Sequence, residues 1–277
     1  MPELPEVETV KETLSYKLGY PTIQKVHVAW DNIIAFPDTL AFCEMLKGKT
    51  IKGYDRIGKY LILDLGTHEL ISHLRMEGKY YVEQEDAPYD KKHTHVFMTM
   101  EDGRELRYHD TRKFGKMYLY EKSFDRSLYP VFQNIGYDIF DERITADYLY
   151  KKLHTKKKVL KQVLLDQSIM AGIGNIYADE ICFALKMHPE TRIYRLRKKD
   201  FAILIQEARR ILTDAIKAGG TTIRSYTSSL GVHGRFQLQV KVHAKKGEPC
   251  PVCGSEIKKI TVATRGTCFC PTCQKKR

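Results

Sequence analysis

The sequence predicts an α+β protein: an N-terminal β-sandwich with flanking helices, then a helical domain that ends in a cysteine-bearing β-hairpin. Three observations carry this. Short β-rich runs recur at strand-and-turn spacing from Thr22 to Tyr120. Helical patterns dominate afterwards, over 146–166 and 199–217. Two C-x2-C pairs, Cys250/Cys253 and Cys270/Cys273, close the chain with 16 residues between them. The boundaries expected are 1–131 for the sandwich, 132–143 for a linker, 144–243 for the helical domain and 244–277 for the hairpin.

The chain opens Met1-Pro2-Glu3-Leu4-Pro5-Glu6. Pro5 suits a first helical turn, because its φ is already set and its missing N–H would be unpaired there anyway. Val7, Val10, Leu14 and Leu18 then mark one apolar face. A small second residue permits loss of Met1, which would leave Pro2 as the N-terminus with a secondary amine. A free α-amine titrates near ~7.7–8.0, so part of it is neutral and nucleophilic at neutral pH. The positive end of the following helix lowers that value. The plainer reading of the same residues is a flexible start whose acids cap a helix.

Thr22 to Val28 alternates as a strand, and 38–47 reads as a short helix with Asp38 as N-cap and Gly48 as stop. Strands follow at 60–65, 70–74, 79–82, 95–100, 104–108 and 116–120, with Asp102-Gly103 as a hairpin turn. Three spots interrupt the pattern. Gly58-Lys59-Tyr60 puts a lysine at the mouth of an apolar strand. Met76 sits in His73-Leu-Arg-Met-Glu-Gly78. Arg112 and Phe114 lie two apart in Asp110-Thr-Arg-Lys-Phe-Gly115, a spacing that points both the same way on an extended loop. On residues alone, Lys59 is a solvated strand end, Met76 is core and His93 is a surface histidine.

Residues 121–143, with Pro130 and Gly136, read as a connection. Ala146 to Asp166 then reads as one helical run carrying Lys151, Lys152, Lys156, Lys157, Lys158 and Lys161, a pattern that usually marks a solvated face. A helix is expected to start at Asn175, after Gly172 and Gly174. Its free amides and dipole would form a phosphate seat. Residues 221–236, rich in Ser and Gly, have the composition of a mobile loop.

The cysteine spacing fits a zinc pattern. Four thiolates close a tetrahedral site and leave no position for substrate, so the one Zn2+ expected is structural. Between the pairs, 258–269 reads as a hairpin with Thr264-Arg265-Gly266 at its turn. The formal charge is +12, from 46 Lys+Arg and 34 Asp+Glu. Residues 241–277 hold nine Lys/Arg against two Asp/Glu, more than half of that excess. This favours a polyanionic partner. No run of ~18 apolar residues exists to span a membrane, and the acidic N-terminus lacks a signal-peptide pattern. A cytoplasmic protein follows as the expectation.

The opening residues, Gly58-Lys59-Tyr60, His73 to Gly78, Asp110 to Gly115, Asp166 to Glu180 and the cysteine hairpin together resemble the bacterial formamidopyrimidine-DNA glycosylases, over essentially the whole chain. The resemblance implies a helix–two-turns–helix element at 166–180. It also implies a bifunctional glycosylase and abasic-site lyase that removes oxidised purines from double-stranded DNA through a Schiff base on Pro2. Glu3 would be the general acid. Lys59 would reach the catalytic centre and Arg265 would bind the lesion phosphates and assist the second strand cut. Met76 would fill the gap left by the flipped base, Phe114 would wedge between bases, and Arg112 would hydrogen-bond the orphaned base. His93, Lys156, Lys161 and Asn175 would contact DNA. Arg224 and Tyr226 match a recurring loop pattern. One departure is Cys268, which stands where the family commonly has histidine, either as a free thiol or as a competitor of Cys270 for zinc. The resemblance implies a monomer that binds damaged DNA and no membrane. The oxidised-pyrimidine branch of the superfamily usually begins Pro-Glu-Gly-Pro-Glu, so Leu4 favours the purine branch. A zinc-dependent DNA-binding protein without catalysis is the reading from another class.

Overall fold

The computed structural model describes residues 1–221 and 236–277. They group into two units: Met1–Gln133 with 218–221, and Asn134–Lys217 with Phe236–Arg277.

In the first unit, α1 (Leu4–Lys17) begins with a capping box between Glu3 and Glu6, which satisfies donors a helix start otherwise leaves open. Val7, Val10, Leu14 and Leu18 are all buried, as their spacing predicts. Next come β1 (Ile23–Val28), β2 (Ile34–Phe36) and α2 (Thr39–Leu46). Asp38 caps α2 by accepting the Ala41 N–H at 3.0 Å. Seven strands follow: β3 (Gly53–Ile57), β4 (Tyr60–Asp64), β5 (His68–His73), β6 (Lys79–Gln84), β7 (Thr94–Met100), β8 (Arg104–His109) and β9 (Lys116–Glu121).

They form a four-stranded sheet in the order β1-β7-β8-β6 and a five-stranded sheet in the order β2-β9-β5-β4-β3. All pairings are antiparallel except β2 beside β9. Leu61, Leu63, Leu70 and Leu119 from one sheet meet Ile23, Val96, Met98 and Leu106 from the other in a single core that α1 and α2 complete. The period-2 alternation of sandwich strands produces this arrangement. β2 and β3 are the strands periodicity does not reveal. Both are edge strands without a fully buried residue, so burial imposes little pattern on them.

The second unit holds α3 (Ala146–Leu153), α4 (Leu160–Leu165), α5 (Asn175–Ala184), α6 (Lys198–Lys217), β10 (Lys258–Val262) and β11 (Arg265–Phe269). The single helix expected over 146–166 is two. Around the break the backbone pairs with 189–193 instead of with itself. The Leu160 N–H donates to the Thr191 carbonyl at 2.8 Å, the Ile193 N–H to Lys158 at 3.0 Å, and the Lys161 N–H to Pro189 at 3.1 Å. Lys156, Lys157 and Lys158 therefore lie on the connection rather than on a helix face. The hairpin also differs in detail. Its turn residues are Ala263 and Thr264, with φ of 50° and 61°, the left-handed pair that a two-residue hairpin loop requires. Arg265 is the first residue of β11, paired with Val262.

Candidate functional site

Pro2 is buried at the head of α1, while the Met1 side chain is exposed. Glu3 is 2 % exposed. Glu6 Oε2 accepts the Glu3 N–H at 2.9 Å. Glu6 Oε1 accepts both the N–H and the hydroxyl of Thr221, at 2.8 and 2.9 Å. The first turn of α1 is thus pinned to 220–221, and the segment carrying Pro2 is held. The two buried carboxylates each accept the backbone N–H of the other residue, which fixes both in the turn that follows Pro2.

Lys59 is not a solvated strand end: it is 6 % exposed. Its turn is braced by Arg56, which donates to the Gly58 carbonyl at 2.9 Å and to Glu8 on α1 at 2.7 Å. His73 lies opposite Tyr60 in the β4–β5 register, with the two rings edge to face at 4.6 Å. Burial, then the charges of Arg75 and Lys59, depress the His73 imidazole to about 3. Its Nδ1 accepts the Arg75 N–H at 2.9 Å, so the neutral ring carries its proton on Nε2. His73 is a residue that sequence reasoning passed over as part of the Met76 motif. Only strand register brings it beside the lysine.

The two remaining interruptions form one structure. Asp110 is fully buried and organises its loop: Oδ1 accepts the Arg112 N–H at 3.0 Å, and Oδ2 accepts the N–H groups of Phe114 and Gly115 at 3.0 and 2.8 Å. Arg112 and Phe114 are exposed, with the guanidinium 4.8 Å from the ring centroid. Lys113, at φ 57°, turns to the Trp30 ring 4.0 Å away. Met76, in the turn between β5 and β6, is half-buried. The two loops are joined by the Thr111 hydroxyl, which donates to Glu77. Both pack on Tyr108, and a Cβ at Gly78 or Gly115 would collide with its hydroxyl. His93 is half-buried in the turn before β7, its Nδ1 2.6 Å from Asp90. An aspartate opening a turn is a sequence signal for such a loop, and Asp110 is a positioning residue that signal could have found.

In the second unit, Lys161 corrects the expectation of a phosphate grip. It is 0 % exposed, and its ammonium donates to Asp179 at 2.5 Å, Thr267 at 2.7 Å and the Gly266 carbonyl at 3.3 Å. A lysine has three N–H donors, and all are used internally. Asp179 also meets His243 at 2.7 Å and the Cys268 N–H at 3.3 Å. The Asn175 amide donates to the same Gly266 carbonyl at 3.1 Å. Both side chains therefore fasten the hairpin one residue beyond Arg265, which is exposed, as is Lys156. Arg224 and Tyr226 lie outside the described residues.

The four Sγ atoms of Cys250, Cys253, Cys270 and Cys273 all lie within 4.8 Å of one another. Cys250 and Cys273 are 3.9 Å apart, and Cys253 and Cys270 are 3.5 Å apart. A tetrahedral zinc with Zn–S of about 2.3 Å requires edges of about 3.8 Å, so the four thiolates fit one structural zinc. Cys268 is buried beside Asp179 and outside this group.

A β-sandwich unit with a held N-terminus, and a helical unit ending in a four-cysteine hairpin, define a zinc-finger protein of two units. Family models match along the chain: the formamidopyrimidine-DNA glycosylase N-terminal domain over 1–117, the formamidopyrimidine-DNA glycosylase H2TH domain over 135–227, and the zinc finger found in FPG and IleRS over 247–276. Formamidopyrimidine-DNA glycosylase of Oceanobacillus iheyensis is 45% identical over 278 residues, covering 100% of this chain and 99% of the relative. That of Bacillus subtilis is 45% identical over 278 residues, covering 100% of both. The Lactococcus lactis Fpg in complex with DNA containing an abasic site is similar in structure, with a TM-score of 0.90, 39% identity and coverage of 99% of this chain and 100% of that one. A variant of that protein with Fapy-dG containing DNA gives 0.91 at 40% identity, covering 99% of each. The chain belongs to the formamidopyrimidine-DNA glycosylase family.

Proposed function

We propose that this protein excises oxidised purines from double-stranded DNA and cuts the strand at the resulting abasic site. The observation that carries the reading is the buried, pinned Pro2 beside Glu3 and Glu6 at the head of α1. Removal of Met1 frees the Pro2 nitrogen. A base inside a duplex is out of reach, so the target nucleotide is first extruded. The Pro2 lone pair forms a bond to the anomeric carbon, and the glycosidic pair leaves with the base. Glu3 gives a proton to the sugar ring oxygen, the ring opens, and an iminium joins Pro2 to the sugar. That cation withdraws electrons from the neighbouring carbon, whose proton is lost as the 3′ phosphate departs. A second elimination releases the 5′ phosphate. Lys59 and Arg265 neutralise phosphate charge. Met76, Arg112 and Phe114 occupy the space opened in the stack, and His93, Asn175 and Lys156 hold the backbone. Lys161 positions the Arg265 hairpin instead. When bound, zinc clips the hairpin shut and supplies no chemistry to the reaction. The protein works as a monomer in the bacterial cytoplasm, associated with the nucleoid when bound to DNA.

Borohydride trapping on a duplex carrying 8-oxoguanine opposite cytosine tests this. The expected result is a covalent protein–DNA product at Pro2. One residue added ahead of Pro2 turns the amine into an amide, whose lone pair is delocalised. That variant should bind lesion DNA yet neither trap nor cleave it. Normal cleavage by the extended protein would move the nucleophile to a side chain such as Lys59.

A further inference from the structure

Among the described residues, one group besides the cysteines has metal-ligand geometry: Asp90, His93 and His109, whose donor atoms lie within 4.8 Å of one another. We propose that these three side chains bind a divalent transition-metal ion of borderline softness, such as zinc or cobalt, at a second site unrelated to the structural zinc.

The three ligands come from the turn before β7 and the end of β8. His109 ends β8 and pairs with Thr94, the first residue of β7. His93 precedes it, and the backbone N–H groups of His93 and Thr94 both donate to the Asp90 carbonyl, at 3.3 and 3.0 Å. Asp90 Oδ2 lies between the rings, 2.6 Å from His93 Nδ1 and 3.5 Å from His109 Nε2. Ligand bonds of about 2.1 Å require donor separations of about 3.0–3.4 Å, so the His109 distance already fits and the His93 pair opens by less than an ångström. Two imidazoles and one carboxylate on one face, with the other positions left for water, are a donor set that suits this class of metal.

The surroundings accept the charge. Asp90 and His109 border a cavity of about 250 Å³ that Tyr81, Glu83 and Arg107 also line. Arg107 is the one cation among these lining residues, and it is already neutralised: it donates to Glu105 at 2.5 Å and to the carbonyls of Gln84, Glu85 and Ala87 at 3.0 Å each. Glu83 adds negative charge, and the Tyr81 ring stands edge-on to His109 at 5.9 Å. The site also touches the loop machinery. The His93 carbonyl accepts the Asp110 N–H at 2.8 Å, so a metal here stiffens the backbone from which the Arg112–Phe114 loop springs.

The experiment uses the full chain with its structural zinc in place, titrated with cobalt(II) and followed by calorimetry and absorption. One further equivalent should bind with weak d–d bands and no thiolate charge-transfer band. Asp90→Asn, a change at an exposed position, and His109→Asn should each weaken that event about 10–100-fold, the loss expected when a metal site forfeits one of its supports. Three results overturn the proposal: no further equivalent, an equivalent that brings a thiolate charge-transfer band, or wild-type affinity in both variants.

Discussion

Replacing Asp110 with alanine separates loop architecture from direct contact with DNA. The carboxylate holds three backbone N–H groups. In Asp110→Ala, water can reach the N–H groups of the exposed Arg112 and Phe114, but the Gly115 N–H stays buried under Tyr108. One stranded buried donor costs about 1–3 kcal/mol, and the lost charge-assisted bonds add a little, so we expect a destabilisation of about 2–3 kcal/mol. Trp30, the only tryptophan, lies in this unit with Lys113 over its ring. Urea unfolding followed by its fluorescence reads the loss directly. Phe114→Ala is the contrast. Phe114 is 51 % exposed, so its truncation should change the urea midpoint little. Excision of 8-oxoguanine should fall about 100-fold in Asp110→Ala, since a loop displaced by about an ångström loses that much, and should also fall in Phe114→Ala, which loses the wedging ring while keeping the loop. An Asp110→Ala protein with an unchanged midpoint and normal excision would falsify the assignment of Asp110 as the organiser of this loop.

Further outcomes follow from other parts of the molecule. Phe114→Ala and Arg112→Ala should reduce lesion excision more than cleavage at a preformed abasic site, because no base need be extruded there; equal losses on both substrates would point to general phosphate binding. Lys161→Met should be destabilising, by less than the about 3–5 kcal/mol of an uncompensated buried charge because Asp179 keeps His243 and the Cys268 N–H, whereas Lys156→Met should keep stability and weaken only DNA binding; the reverse pattern would restore Lys161 as a phosphate ligand. Chelation of zinc should abolish binding to lesion DNA while Trp30 still reports a folded N-terminal unit, since the metal clips only the hairpin that carries Arg265; full affinity after chelation would refute that role. His73 titrates near 3 in the folded protein, below the usual histidine value. Below pH ~6.5 the unfolded chain therefore binds a proton that the folded chain refuses, and stability falls with pH by about 1.4 kcal/mol per unit. An asparagine in its place would keep the Arg75 hydrogen bond without titrating, so His73→Asn should remove about 2 kcal/mol of the loss between pH 7.5 and pH 5; identical pH profiles would show that His73 carries no such shift.

By itself, the sequence determined the features that local chemistry dictates. The apolar spacing of Val7, Val10, Leu14 and Leu18 selects a buried helix face, Asp38 caps its helix, and strand alternation builds two sheets. Two C-x2-C pairs specify a closed tetrahedral site wherever the chain places them, because a C-x2-C turn and a hairpin bring four thiolates together without help from the rest of the molecule. Tertiary structure decided what depends on distant partners. Lys161 reads as one more charge in a lysine-rich run. It became a buried strut because α5 delivers Asp179 and β11 delivers Gly266 and Thr267 to its ammonium. The helix expected across 146–166 broke because residues 189–193 offered its backbone other partners. His73 was brought to Lys59 by the register of β4 and β5, and Asp90, His93 and His109 were gathered by the register of β7 and β8. Hydrogen bonds across long sequence separations leave no periodicity to read, since each partner is chosen by the folded neighbour and not by the residues beside it.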